Sequence, residues 1–502
     1  MRKLPLILAA LLLLVCGLAA QSAPLLNGLN EASLIYRSVP DSLHVYFQNS
    51  FGFSLGYKNF SFGMKFIAEL PKYSTNQSEL LEELDPDRLS LGWKELYASY
   101  TRDAYLIHAG TIEESFGSGL IFRSYQDLEL DEDHRVTGFK FRYDDKLRLK
   151  ALYSALPSPT SLGRLDLAYG ADAEYPILEP LIPFLESINF PHLESLSLGA
   201  SFVGMQTLQG SSYKQDDILG ARAKLIQDQF EISVEGASRD DKLVAGMLNG
   251  LAVFTAASAY FGPVQLGGAY KHYDNFSYRN RVQDIPLANH HNETLADDLA
   301  SGTDERGFQA WTNIAFGQYL SLNLDYAEAW DQAREKQMND AYAGLDWQSG
   351  ATAATLSYSH IEKVDSALRH WQKEAYPAFV VSFPAGKTGL VLSGEFKTVE
   401  KLVLDTVQNE YVEASHYEPR LQADLSLGKL SLSLGAQSWW NDFSSILQSH
   451  YWPSVELKYP ILADSDLVLF AGKEAGGKVC RNGVCRYVAP FSGVRLELAT
   501  RF

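Results

Sequence analysis

The feature that most constrains this chain is a two-residue alternation of apolar and polar side chains, which recurs along most of its 502 residues. In residues 51–57, phenylalanine, leucine and tyrosine alternate with glycine and serine, and residues 139–144 and 421–427 show the same alternation. Successive side chains of a β-strand point to opposite faces of a sheet, so each run has one apolar and one polar face. The alternation predicts an all-β chain with strands from about Ile35 to Phe502.

Tight turns and longer polar stretches separate these runs. Short turns between antiparallel neighbours are predicted at Asp144-Asp145, Gly317-Gln318, Gly428-Lys429 and Asn482-Gly483. The longer polar stretches are residues 72–88, 126–135, 275–306, 329–340 and 363–374. Two of them, Asn76 to Leu84 and Ala329 to Asp340, are predicted to contain short helices. Short turns at one end and long loops at the other are typical of outer-membrane barrels.

Residues 1–23 are predicted to be a secretory signal peptide. A positive start, Arg2 and Lys3, precedes an apolar run at residues 4–15 and then small residues suited to cleavage. An uncleaved membrane anchor is the alternative, but the apolar run is short for a spanning helix and no basic cluster follows it. Residues 24–502 are predicted to be a single outer-membrane β-barrel domain, because no linker or shift in composition divides them.

Two kinds of fold present this alternation: a soluble sandwich with its apolar face inward, and a membrane barrel with its apolar face outward. The polar face carries runs of charge, as in Lys140 and Arg142 and again in Lys146, Arg148 and Lys150. A wet lumen accommodates such charges and a packed core does not. The sequence therefore predicts a large antiparallel transmembrane β-barrel with short periplasmic turns and longer extracellular loops. Its length corresponds to roughly 20–26 strands, an even number.

The last residues of the chain support a barrel. One face of this segment is apolar and ends in an aromatic residue; its side chains are Val494, Leu496, Leu498, Thr500 and Phe502. The segment resembles the terminal strand by which Gram-negative outer-membrane proteins are recognised by their barrel-assembly machinery. The alternative is the closing strand of a secreted β-protein.

These features also predict the partners of the chain. We expect outer-membrane lipid and lipopolysaccharide, the barrel-assembly machinery during biogenesis, and small solutes. With a formal net charge of −18, nucleic acid is not expected as a partner, because phosphate binding requires clustered Lys and Arg.

Residues 108–138 carry a second resemblance. The matching positions are Gly110, Phe116, Gly117, Gly119, Leu120, Arg123, Arg135 and Gly138. This stretch resembles uncharacterised porin-like outer-membrane proteins of the Bacteroidota and related phyla, although Ser118 stands where a basic residue is common. The resemblance implies a barrel and little about what passes through it.

Candidate lumen or constriction residues come from this stretch and from the charged strand after it. They are Glu113, Glu114, Arg123, Arg135 and Arg142. Glycines that permit a backbone bend are Gly110, Gly117, Gly119 and Gly138. The alternative interpretation is a structural turn whose charges lie at the surface.

The cysteines predict one structural disulfide. Cys480 and Cys485 would face each other across the Asn482-Gly483 turn in an oxidising compartment. Cys16 follows Val15 rather than a small residue, which disfavours lipid attachment. No metal site and no cofactor are expected, and His290 and His291 are predicted to lie in a solvated loop rather than in a divalent-ion site.

The predicted function is that of an outer-membrane porin-like channel, with passive or substrate-selective diffusion of small solutes through a polar lumen. Two alternatives remain: a non-transporting barrel that serves as scaffold, adhesin or secretion partner, and a transporter of hydrophobic compounds with a plugged lumen. No catalytic set of residues is recognisable, so an enzyme is not expected. Strands that begin near Ile35 leave no room for an N-terminal plug domain. The solute and the ion preference stay open.

Overall fold

A computed structural model describes most of the chain. The described residues are 24–38, 44–71, 89–127, 132–157, 164–178, 181–182, 193–210, 212–240, 250–276, 282–295, 302–367, 369–386, 388–405, 410–443, 450–481 and 484–502. The predicted signal peptide, Cys16 and the predicted helix at Asn76 to Leu84 lie outside these ranges.

One sheet of 24 strands dominates the structure. Its first strands are β1 (Leu25–Arg37), β2 (Val45–Tyr57), β3 (Phe60–Leu70), β4 (Ser90–Arg102) and β5 (Tyr105–Ile112). Four short strands that lie outside this sheet follow: β6 (Glu114–Phe116), β7 (Phe122–Ser124), β8 (Gln126–Asp127) and β9 (Glu132–Asp133). The large sheet then continues with β10 (Val136–Asp144), β11 (Arg148–Pro157), β12 (Leu165–Pro176), β13 (Ser195–Gln209), β14 (Ser212–Gln227), β15 (Phe230–Asp240), β16 (Gly250–Phe261) and β17 (Val264–Asp274).

The second half of the chain completes the sheet. It contributes β18 (Asp304–Phe316), β19 (Leu320–Trp330), β20 (Lys336–Ser349), β21 (Thr352–Asp365), β22 (His370–Ala385), β23 (Thr388–Asp405), β24 (Glu410–Leu427), β25 (Leu430–Trp439), β26 (His450–Leu462) and β27 (Ser465–Glu474). The hairpin β28 (Gly477–Arg481) and β29 (Val484–Val488) stands apart, and β30 (Phe491–Arg501) is the last strand of the sheet.

The sheet closes on itself as an antiparallel barrel. Each strand pairs with its neighbours in sequence, and β30 pairs with both β27 and β1, where Arg501 lies opposite Leu29. The predicted all-β fold is confirmed, and the strand number is even and within the predicted range. The first strand starts at Leu25 rather than near Ile35, because Asn27 and Gly28 interrupt the apolar pattern without ending the pairing to β2.

The two ends of the barrel differ in their connections. At the end that holds Leu25 and Arg501, the strands are joined by tight turns, such as residues 58–59 and 428–429. The exception at this end is the longer connection at residues 177–194. The opposite end carries the long loops, such as residues 113–135 and 275–303. The predicted asymmetry is therefore present.

The prediction of loops is wrong for two of the long polar stretches. Residues 329–340, expected to be helical, contain the end of β19, a tight turn at residues 331–335 and the start of β20. Residues 363–374 likewise belong mostly to β21 and β22. Both misassignments have one cause. Near the long-loop end of the barrel, these strands extend beyond the belt of outward apolar side chains. Their outward side chains are therefore polar, and the sequence loses its alternation of apolar and polar residues.

The outward face of the barrel is apolar. Phe139, Leu356 and Leu421 are outward and are between 57% and 67% exposed. On β30, Val494 and Leu496 point outward, while Arg495 and Glu497 point inward and form an ion pair at 2.5 Å. This is the face assignment predicted from the last residues of the chain. Among the described residues, no helix has the length and apolar content needed to cross a membrane.

The number of strands sets the width. Strands lie about 4.8 Å apart and tilt by about 40°, so 24 strands give a perimeter of about 150 Å, or about 48 Å across for a circular section. Side chains from the wall alone do not fill such a lumen. Any protein that fills more of it comes from the loops.

Candidate functional site

Two loop segments from the long-loop end fold into the barrel. The first lumen segment, residues 113–127, follows β5, and the second lumen segment, residues 282–295, lies between β17 and β18. Both contact inward-facing side chains of the wall. They are the candidate functional site, because they decide how much of the lumen stays open.

The first lumen segment forms an apolar core against the wall. Phe116 and Phe122 are fully buried, with ring centroids 5.2 Å apart, and they pack in one cluster with Val203, Met205 and Ile218 of β13 and β14. Burial of large apolar side chains is the main force that stabilises such a docked segment. The prediction of a polar lumen is therefore wrong for this sector of the barrel.

Glycine is required at the bend of this segment. Gly117 has a φ of +57°, and a Cβ there would overlap the carboxylate of Glu235 on β15. That carboxylate accepts a hydrogen bond of 2.8 Å from the Ser118 N–H. Gly119 also has a positive φ, of +96°. The segment can therefore turn back on itself with its backbone against the wall.

The other two predicted glycines lie in the wall itself. Gly110 of β5 and Gly138 of β10 are register partners. A Cβ at Gly110 would overlap the backbone of Leu96, and one at Gly138 would overlap the backbone of Tyr153. They permit close strand approach directly beside the start of the first lumen segment.

Glu114 fastens the first lumen segment to the wall. Its carboxylate lies 2.9 Å from Lys150 Nζ and 3.3 Å from Lys140 Nζ, and its side chain is 7% exposed. Burial alone would raise the pKa of Glu114, but Lys150 and Lys140 outweigh burial, so the pKa is lowered below 4.5. A buried carboxylate between two ammonium groups is a strong local constraint.

Arg135 is a second ionic anchor. It is 4% exposed and contacts Glu95 at 2.7 Å, Asp133 at 2.8 Å and Glu113 at 3.5 Å. The hydrogen bond with Asp133 outweighs burial and raises the pKa of Arg135 above its ordinary value. Arg142 lies apart from this group, half-buried and paired with Asp144 on the same strand. The predicted lumen residues thus fall into several separate ion pairs.

The two lumen segments bind each other. Arg123 forms an ion pair with Asp284, and its N–H donates to the Val282 carbonyl at 2.7 Å. The side-chain amide of Gln283 donates to the Leu120 carbonyl at 3.0 Å. The segments therefore form one joint structure across the inner wall.

His291 anchors the second lumen segment. Its N–H donates to Asp340 Oδ2 at 3.0 Å, its Nδ1 lies 2.7 Å from Asp340 Oδ1, and its Nε2 lies 3.0 Å from Ser359 Oγ. Because a carboxylate only accepts, Nδ1 carries the proton. Asp340 has no exposed side-chain surface. The prediction of a solvated loop is wrong for His291, whose side chain is 16% exposed in a segment that buries Ile285, whereas His290 is exposed.

The Asp340–His291–Ser359 connectivity is that of a hydrolase triad, but its setting is not. Ser359 is 4% exposed, on the barrel wall beneath the second lumen segment. A nucleophile needs an open approach for the reacting carbonyl. We therefore assign this relay to anchoring the segment.

His290 lies beside this anchor, stacked on Tyr342 with ring centroids 3.8 Å apart. Burial and the neighbouring His291 lower the pKa of His290, which favours the neutral ring. In the described ranges, no group of three or more His, Cys, Asp or Glu side chains is arranged to hold a metal ion.

The predicted disulfide would join the two strands of the hairpin β28–β29. The backbone register pairs Cys480 with Cys485, as the hairpin prediction requires. The side chains of both cysteines and the Asn482-Gly483 turn lie outside the described residues. The disulfide stays a prediction.

A profile for a family of unknown function (DUF6029) matches residues 6–309. The chain belongs to the DUF6029 family. The matched part of this DUF6029 protein runs from before β1 into β18 and includes both lumen segments. No curated protein sequence matches it.

Solved structures are similar to the DUF6029 chain at the level of the fold. A chain of the E. coli P pilus tip assembly intermediate PapC-PapD-PapK-PapG has 10% identity and a TM-score of 0.51; the match covers 95% of the DUF6029 chain and 60% of the other. The siderophore receptor PirA from Pseudomonas aeruginosa has 9% identity and a TM-score of 0.47, with 95% and 80% covered. OccK3 from Pseudomonas aeruginosa has 14% identity and a TM-score of 0.40, with 68% and 91% covered.

The Glu114 anchor predicts acid release of the first lumen segment. Because the pKa of Glu114 in the folded protein lies below 4.5, the stabilisation of the segment by this carboxylate is complete above pH 4.5. It is lost as the pH falls through the pKa of the folded protein. A spin label at Ser118→Cys should stay immobile down to about pH 4.5 and become mobile below it. Glu114→Gln should mobilise the label at neutral pH, while Glu113→Gln, at a position 61% exposed, should not. Identical transitions in all three proteins would contradict this role.

The His291 anchor predicts a graded loss of protection from hydrogen exchange in residues 282–295. Asp340→Asn weakens two hydrogen bonds to a charged acceptor and should lower the local opening free energy by about 1.5–3 kcal/mol. Ser359→Ala should cost about 1 kcal/mol. Asp346→Asn, on the same strand but bonded to Asn323 and Thr355, is the control. Equal protection in all four proteins would refute the assignment.

Proposed function

We propose that this DUF6029 protein is an outer-membrane channel through which small polar solutes diffuse. The observation that supports the proposal is that, in the part of the chain that the structure describes, the two lumen segments contact one side of a wide lumen. The contacts of the two lumen segments lie along the wall from β5 to β22, with the apolar core at β10–β17. The facing wall, from β24 through β30 to β3, bounds the path that we propose for solutes.

The facing wall has the lining that a water-filled path requires. Small hydroxyl side chains point inward there and are partly exposed; they include Ser50, Ser54, Ser61, Ser431 and Ser454. Inward charges on this wall include Lys65 and Asp424. Width and lining charge then set which solutes pass.

The apolar part of the lumen gives no support to a transporter of hydrophobic compounds. Its side chains, among them Phe116, Leu120 and Met205, are fully buried within their own cluster. A ligand for this surface would have to displace the first lumen segment. We retain the polar path as the proposed route.

The cellular setting is part of the same proposal. We propose a signal peptide at residues 1–23, an outer-membrane location, contacts with lipid and lipopolysaccharide, and insertion by the barrel-assembly machinery. The apolar outer belt of the barrel fits this setting. A relationship to porin-like proteins of the Bacteroidota is likewise proposed, on the strength of residues 108–138.

Single-channel recording tests the channel. The purified protein should give steady open currents in planar bilayers. At Ser54→Cys, a charged methanethiosulfonate reagent should reduce the current stepwise, because this side chain points into the proposed path. Leu55→Cys, which points to lipid, and the unsubstituted protein are the controls. Silent bilayers would favour the scaffold alternative, and equal block at Ser54 and Leu55 would reject the path.

A further inference from the structure

Three aromatic side chains lie side by side on the facing wall, near the long-loop end. Trp439 is the last residue of β25, and His450 and Trp452 lie at the start of β26. The ring centroids of Trp439 and His450 are 6.0 Å apart, and those of His450 and Trp452 are also 6.0 Å apart. The three rings therefore form one continuous surface, which we call the aromatic row.

The strand register places the aromatic row on the inner face of the wall. On β25, even-numbered side chains such as Leu434 point outward, so Trp439 points inward together with its register partner His450. The next residue, Trp440, points the other way and packs against Phe443, which belongs to the outward surface. The two neighbouring tryptophans thus belong to opposite faces of the barrel.

The rings of the aromatic row are accessible to solutes. Trp439 is 41% exposed, His450 is exposed and Trp452 is half-buried. Because this surface faces the proposed path, its exposed area meets water rather than lipid. A cluster of exposed aromatic rings in such a setting marks a binding surface. The faces of aromatic rings carry partial negative charge and attract polarised C–H groups.

Hydrogen-bonding side chains frame the aromatic row on the same face. Gln437 has Arg420 as its register partner on one side and Trp452 on the other. Arg420, Gln437, Trp452 and Glu474 line one concavity of the wall. A guanidinium donates hydrogen bonds, a carboxylate accepts them and an amide does both. This combination suits a ligand that has an apolar face and a hydroxylated edge.

The charges beside the aromatic row are of both signs. Arg420 lies opposite Glu395 in the register, and Glu418 lies opposite Lys397. Glu418 also lies 2.9 Å from Nε2 of His416. A lining of one sign would concentrate ions of the other sign, whereas mixed signs do not. The patch therefore favours an uncharged ligand over a cation or an anion.

The geometry points to a subsite for neutral sugars on the aromatic row. A pyranose ring would lie with its C–H face on the indole of Trp452 or Trp439. Its hydroxyl groups would then reach the polar frame at Arg420, Gln437 and Glu418. Three rings in succession supply several weak binding positions, so a sugar can bind on entry and still move onward. This inference rests on the proposed channel and names the class of solute that it would favour.

Maltotriose and cellotriose are the probes, because they present glucose rings in two different linkages. Sorbitol, which is hydroxylated but has no ring, is the negative probe. Calorimetric titration of the purified full chain in a polyoxyethylene detergent, which carries no sugar, should show binding of at least one trisaccharide and no binding of sorbitol. Trp452→Leu and Trp439→Leu should each weaken binding about twofold to tenfold, because one ring contact is lost. Gln437→Leu should weaken it by a similar factor through lost hydrogen bonds.

The matched control is Trp440→Leu. Trp440 adjoins Trp439 in the chain but points to the outer face, so this substitution should leave sugar binding unchanged. Equal loss at Trp440 and Trp439, binding of sorbitol as tight as that of the trisaccharides, or no binding of either trisaccharide would overturn the subsite. If Trp452→Leu fails to fold, the result at the exposed Trp439 decides.

Bilayer currents separate this inference from the channel itself. The trisaccharide that binds should briefly interrupt the open current of the unsubstituted channel, and the interruptions should be shorter in Trp452→Leu. Sugar binding in a protein that gives no current would support the subsite and refute the channel. Currents without sugar binding or interruption would support the channel and refute the subsite.

Discussion

Backbone hydrogen bonding in lipid is the constraint on which this structure depends. Each N–H and C=O group in the hydrocarbon layer needs a partner, and a strand finds one only on its neighbours. A sheet with a free edge leaves a row of these groups unpaired, so the 24 strands close, with β30 against β1. The two-residue alternation follows, since one face of every strand meets lipid and the other meets the enclosed space.

Closure at this strand number creates the second problem that the chain solves. A wall of 24 strands encloses more volume than its own side chains fill. Two long loops turn inward and cover part of the wall, held by an apolar core around Phe116 and by the ionic anchors at Glu114, Arg123 and His291. The position of these segments decides how much of the lumen cross-section they leave open.

The sequence predicted the fold because the alternation is a local signal that repeats in nearly every strand. The outward and inward faces of β30 and the tight turn at Gly428-Lys429 were predicted correctly for the same reason. The bend glycines were found because Gly117 and Gly119 stand close together in a short stretch. Local patterns of this kind do not depend on which distant residues come into contact.

The candidate site was predicted only in part, because it depends on contacts between distant parts of the chain. Arg123 could be selected from its own segment, but its partner Asp284 lies in another loop. The inward fold of residues 282–295 had a faint signal, since Val282 and Ile285 are apolar residues in a polar loop, and sequence alone did not show which wall would receive them. The Asp340–His291–Ser359 relay joins one loop and two strands. No local sequence spacing predicts that these three residues come into contact.

The most direct test of this account is a spin-label scan along residues 430–437 of β25 in lipid vesicles. Labels at Leu430, Leu432 and Leu434 should relax with oxygen, which partitions into lipid, and labels at Ser431, Gly435 and Gln437 should relax with a water-soluble nickel complex. Such a two-residue alternation would place lipid outside and water inside the wall. Nickel accessibility at the leucines, or no alternation between the two reagents, would contradict it.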